Sequence, residues 1–188
     1  MSLVMTIAMH DFVVMSSDLR AVHVEDEQIK KEGVRKVFRF NEKVVYGLTG
    51  DLDVFDDLNT HLSEHKSEKA NVQAVSRIIR KYLRKRLDDN SEIQLRAHIA
   101  GIGDGNKVTI IELNHDDNYK QHKTLPGPED AYWRTMYCRV PPMPKIEERF
   151  GELNDCTPES ISALLREVNA EVAQEDGSVS EECEVEVV

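Results

Sequence analysis

Two β-hairpins precede the first helix of this chain, and that order restricts its fold more than any other feature. Val4 to Met9 and Phe12 to Met15 are apolar, strand-like runs with His10-Asp11 as the turn between them. The second hairpin is Val37-Phe38-Arg39-Phe40, the turn Asn41-Glu42-Lys43, and Val44 to Leu48. The charged stretch from Glu25 to Gly33 reads as a surface loop. Thr49-Gly50-Asp51 then opens a helix, with Val54, Phe55, Leu58 and Leu62 at helical spacing and Asp51 placed to cap it. A second helix is expected over residues 70–87. Strands resume at Ala97 to Ala100 and, after the turn Gly103 to Asn106, at Val108 to Leu113. The segment from His115 to Pro144 contains five of the six prolines and reads as loop-rich, with a short helix expected over Ala131 to Met136. Thr157-Pro158-Glu159 starts a helix running to about Gln174. Cys183 to Val188 alternates as a last strand, its apolar face made of Cys183, Val185 and Val187. Hairpins interleaved with a helix pair point to a layered α+β architecture rather than a doubly wound parallel sheet. The 188 residues are expected to form a single domain, residues 1–188.

Composition narrows the partners. The formal net charge of −11 repels nucleic acid and anionic membrane at long range, so neither is an expected partner. The basic residues of the second helix, Arg77, Arg80, Lys81, Arg84 and Lys85, therefore read as a solvated face or a subunit contact. The first fifteen residues are interrupted by His10 and Asp11 and carry no basic leader pattern. Cys138, Cys156 and Cys183 have no paired spacing, which fits reduced thiols in a cytoplasmic setting. His61 and His65 lie four apart on a helix, a metal-compatible spacing. His-Leu-Ser-Glu-His is not the His-Glu-x-x-His motif, however, and no third ligand is expected near them, so no metal or cofactor is expected.

Three segments carry a family likeness. Phe12 to Ala21 ends in Asp18-Leu19-Arg20-Ala21, Val34 to Asn41 includes Arg35-Lys36, and Tyr46-Gly47-Leu48-Thr49-Gly50-Asp51 leads from a strand into a helix. In this order and with these gaps they resemble the β-type subunits of the proteasome, in the N-terminal-nucleophile (Ntn) hydrolase family. The resemblance implies a four-layer αββα sandwich of two antiparallel sheets. It also implies a threonine-type endopeptidase, here with serine, acting on peptides or unfolded proteins. The expected assembly is a homo-oligomeric ring or a ring with other proteasome-like subunits, with an ATPase activator as a further partner.

Such a peptidase uses the hydroxyl of its first residue as nucleophile and that residue's α-amine as base. A lysine beside the amine lowers its pKa, a carboxylate orients the lysine, and a backbone N–H stabilises the oxyanion. Carried over by the resemblance, Ser2 is the nucleophile, Asp18 and Lys36 the carboxylate and lysine, and Gly50 the oxyanion-hole glycine; Asp176 and Ser180 are the supporting pair near the C-terminus. The chain departs from the pattern in several places. Serine replaces threonine, Met1 precedes it, Glu181 and Glu182 stand where glycines follow, and Pro128 and Glu129 replace a supporting serine. Met1-Ser2-Leu3 also has the form of an expression leader, in which case the natural chain starts near Val4 and Thr6 is the nearest threonine. The departures keep a second reading open, a proteasome-fold subunit that builds the assembly without cleaving.

Overall fold

The computed structural model describes residues 2–22, 28–89, 93–136 and 139–188. Its first sheet joins β1 (Val4–Ala8), β2 (Val13–Asp18), β10 (Tyr132–Met136) and β11 (Cys183–Val187) in the order β10-β1-β2-β11. The second joins β5 (Val37–Asn41), β6 (Val44–Gly50), β7 (Leu95–Ile102), β8 (Val108–Asn114) and β9 (His122–Thr124) in sequence order. Every pairing in both sheets is antiparallel. A small ribbon of β3 (Arg20–Val22) and β4 (Ile29–Glu32) stands apart.

The period-2 alternation of side chains along a strand assigns each residue to one face of its sheet. Leu3, Met5 and Ile7 pack with Ile161, Leu164, Leu165, Val168 and Val172 of α4 (Pro158–Glu175) and with Ile146 of α3 (Met143–Gly151). Val4 and Ala8, on the opposite face of β1, meet Val37, Val45, Ala100 and Ile110 of the second sheet. The far face of that sheet, with Tyr46, Leu48, Ile99 and Ile111, receives Val54, Phe55, Leu58 and Leu62 of α1 (Asp53–Glu64) and Val72, Val75, Ile79 and Leu83 of α2 (Val72–Asp89). Because apolar groups meet both faces of these sheets, β1 and β2 are buried throughout.

The two sheets approach closely at Gly47. A Cβ there would lie 2.8 Å from Val4 Cγ1 and 2.9 Å from Met15 Sδ, so only glycine fits between them. Capping follows the local chemistry. Thr157 accepts from the Ser160 amide and closes a capping box at α4; at α1 the N-cap is Leu52, without a side-chain cap, and the Asp51 carboxylate just before it accepts from the Asp53 amide.

Three sequence expectations change. Residues 132–136 form a strand and not a helix, because pairing with β1 (Val4 opposite Met136, Ala8 opposite Tyr132) completes that strand's hydrogen bonds. Part of the expected loop over 25–33 is strand β4, exposed along its length and paired with β3; residues 23–27 lie outside the described residues. Helix α3 was not anticipated, since its single buried side chain, Ile146, gives almost no helical period to read.

Candidate active site

The last residue of β2 is Asp18 and the residue before β5 is Lys36. Both are fully buried, with Lys36 Nζ 2.5 Å from Asp18 Oδ1. Since β2 and β5 belong to different sheets, the ion pair ties one sheet to the other. A buried charge persists only when its hydrogen-bonding capacity is satisfied. Lys36 Nζ also donates to the Asp18 carbonyl at 3.1 Å and to the Arg20 carbonyl at 2.6 Å. On the carboxylate, Oδ1 accepts from the Leu3 amide at 2.8 Å, and Oδ2 accepts from the amides of Arg20 at 2.9 Å and Ser180 at 3.4 Å. Burial holds the Lys36 ammonium below its ordinary range, and the Asp18 carboxylate only partly reverses this.

Ser2 is 5% exposed, and its peptide bond to Leu3 is held at this pair, because the Leu3 amide and Lys36 share one carboxylate oxygen. Ser180 joins the same network: its Oγ accepts from the Leu19 amide at 2.8 Å and donates to the Glu182 carbonyl at 2.7 Å. Gly50 ends β6, two residues beyond Leu48, whose amide binds the Lys36 carbonyl at 2.9 Å. It is exposed and has φ +117°, and a Cβ there would fall 2.0 Å from the Gln94 carbonyl oxygen, so the position requires glycine. A cavity of about 320 Å³ lies between α1 and the segment from β4 to β5, lined by Lys30, Lys31, Arg35 and Phe38 on one side and by Leu52, Phe55 and Asp56 on the other.

Asp176 stands one step away from the pair. Its Oδ1 accepts from the Ser178 amide at 2.9 Å and the Ser178 hydroxyl at 2.6 Å, and its Oδ2 accepts from the Arg139 amide at 3.0 Å. Burial pushes this carboxyl up, but the Ser178 and Arg139 donors outweigh burial and hold it below its ordinary value. Asp176 thus shapes the turn that delivers Ser180. Thr6 lies between the sheets, with Oγ1 3.2 Å from His98 Nδ1.

Arg20 was not singled out from sequence, yet it supplies an amide to Asp18 and a carbonyl to Lys36, and its Nη1 donates to the carbonyls of Gly177 at 2.7 Å and Val179 at 3.3 Å. The signal available was its place in Asp18-Leu19-Arg20. One expectation away from this site is corrected: Glu64 does stand beside His61 and His65, because the last turn of α1 and its C-cap residue bring residues 61, 64 and 65 together.

No family model matches the sequence, and no curated protein matches it significantly. Solved structures do. The protein of the helical assembly of the Anbu complex from Pseudomonas aeruginosa matches with a TM-score of 0.76 at 13% identity, over 99% of this chain and 80% of that one. Eukaryotic HslV from Trypanosoma brucei matches with a TM-score of 0.61 at 15% identity, over 98% of each chain. The chain has the fold of these two proteins. Within that fold, the Leu3 amide, Asp18, Lys36 and Ser180 lie in one hydrogen-bonded network, Gly50 ends the strand whose Leu48 amide binds the Lys36 carbonyl, and Asp176 holds the turn before Ser180. No helix among the described residues is long and apolar enough to cross a membrane.

Proposed function

We propose that this protein is a proteasome-like endopeptidase that cleaves peptide bonds with the Ser2 hydroxyl, inside an oligomeric assembly of the four-layer αββα fold. The observation that carries this reading is the shared oxygen of Asp18: it takes hydrogen bonds from both Lys36 and the Leu3 amide, and so holds the Ser2–Leu3 peptide bond at the buried ion pair. Removal of Met1 is part of the proposal, since only a free Ser2 amine can take the hydroxyl proton. The Lys36 ammonium would lower the pKa of that amine through like charge, and a desolvated lysine is the better proton partner. The Gly50 amide would receive the oxyanion. The cavity between the β4–β5 segment and α1, with Phe38, Leu52 and Phe55 among Arg35, Asp53 and Asp56, would take a substrate side chain. Peptides and unfolded chains are the substrates such an enclosed site admits, and an ATPase activator is a fitting partner.

A second reading is favoured by one specific observation. Lys36 already has three oxygen acceptors for its three protons without the Ser2 hydroxyl, so the network is complete as a structural element. On that reading the protein is an inactive subunit that builds the assembly.

The two readings part in one experiment: an intact mass spectrum of the assembled protein, with and without a peptide epoxyketone. That reagent forms a ring with both the hydroxyl and the α-amine of an N-terminal serine or threonine. An adduct on a chain starting at Ser2 is the outcome expected of a peptidase. An unmodified chain in an assembly verified by light scattering would leave only the scaffold reading.

A further inference from the structure

The last turn of α1 and its C-cap residue bring His61, Glu64 and His65 together. Their ligand atoms, one from each residue, all lie within 4.8 Å of one another. We infer that this cluster binds a divalent transition metal ion such as zinc, on the outer surface of the molecule.

Three features of the turn prepare it for a metal. His65 Nδ1 lies 2.9 Å from the His61 carbonyl oxygen, which can only accept, so in the neutral ring Nδ1 carries the proton and Nε2 the lone pair. Fixing a tautomer through the second ring nitrogen is how metal-binding histidines are oriented. The His61 ring is held between two neighbours, with centroids 4.4 Å from His65 and 5.0 Å from the Tyr82 ring of α2. Finally, the carbonyl end of a helix carries partial negative charge, which favours a cation.

A tetrahedral zinc ion with bonds of about 2.0–2.1 Å separates its donors by roughly 3.3 Å, so the three side chains need to close by an ångström or so. Glu64 and His65 are exposed and His61 half-buried, which leaves them free to do so. The site opens onto a groove of about 640 Å³ shared with α2. Arg77, Lys81 and Lys85 line that groove and oppose a cation, Glu64 and Asp89 offset them, and Arg86 is already paired with Asp57 at 3.2 Å. Imidazole and carboxylate ligands on this scale select zinc, nickel, copper or cobalt over magnesium or calcium, which demand more oxygen donors. Three protein ligands leave a fourth position open to water.

The test uses the full chain without a polyhistidine tag. Titration calorimetry with zinc chloride is expected to give one zinc per chain, undisturbed by millimolar magnesium. His61→Ala/His65→Ala should abolish the heat, and Glu64→Gln should weaken binding by about tenfold or more. Far-UV circular dichroism checks that these variants keep the wild-type helix signal. Cobalt(II) chloride bound to the wild-type chain should give visible ligand-field bands of a nitrogen and oxygen site. No zinc uptake, uptake that survives the double histidine variant, or a thiolate-to-cobalt charge-transfer band would each overturn the proposal.

Discussion

His98 illustrates how a single residue sets a pH limit. It is buried between the sheets, and burial, followed by the Arg134 and Arg96 guanidinium groups, pushes its pKa down to about 3 from 6.5. Glu112 lies 3.9 Å from its Nε2 but is already engaged by Arg134 at 2.9 Å, so His98 stays neutral when folded. The unfolded chain takes up a proton near pH 6.5 that the folded chain refuses. The stabilisation is therefore complete above pH 6.5 and declines as the pH falls toward 3, by about 1.4 kcal/mol per unit. Between pH 7 and pH 5 the His98 contribution should fall by about 2 kcal/mol, and His98→Gln should show a correspondingly flatter decline in urea unfolding. Equal declines would mean that His98 is protonated in the folded state. Asp18 and Lys36 were legible at this scale because each stands in a recognisable segment. The Leu3 amide and Arg20 carbonyl were not, since backbone partners depend on strand register.

At the scale of elements, the period of the sequence is informative wherever an element buries one regular face. Helices α1, α2 and α4 are of that kind, while the hairpins, whose strands are largely buried on both faces, are legible from apolar runs bounded by turn residues. Strand β10 and helix α3 are not: Tyr132 to Arg134 are only half-buried, and α3 buries Ile146 alone. Strand β6 shows what a fully buried element demands. Gly47→Ala would force a Cβ to 2.8 Å from Val4 and 2.9 Å from Met15, and overpacking of this kind costs about 1–3 kcal/mol. The midpoint of thermal unfolding should drop accordingly. Gly151→Ala, where a Cβ meets nothing within 4 Å, should leave stability unchanged or raise it by up to about 1 kcal/mol. Similar losses at both positions would contradict the close approach of the sheets at Gly47.

For the whole molecule, the Asp18–Lys36 pair acts as a staple between the sheets, and its removal tests their coupling. Lys36→Met would leave the Asp18 carboxylate buried without a counter-charge, a change that costs about 3–5 kcal/mol. Arg39 also bridges the sheets, through Glu186 at 2.8 Å, but it is 41% exposed, and Arg39→Ala should cost less than about 1 kcal/mol. Urea unfolding separates the two variants, and equal small losses would mean that water reaches Asp18. The sequence by itself determined the hairpins, the principal helices, the Thr157 cap of α4 and the apolar faces of α1 and α2, because periodicity, turn chemistry and capping act within a few residues. Only the tertiary structure decided that the Leu3 amide, Asp18, Lys36 and Ser180 share one network and that residues 132–136 extend the first sheet. Those contacts join positions up to 162 residues apart, where register and burial, not local propensity, select the partner.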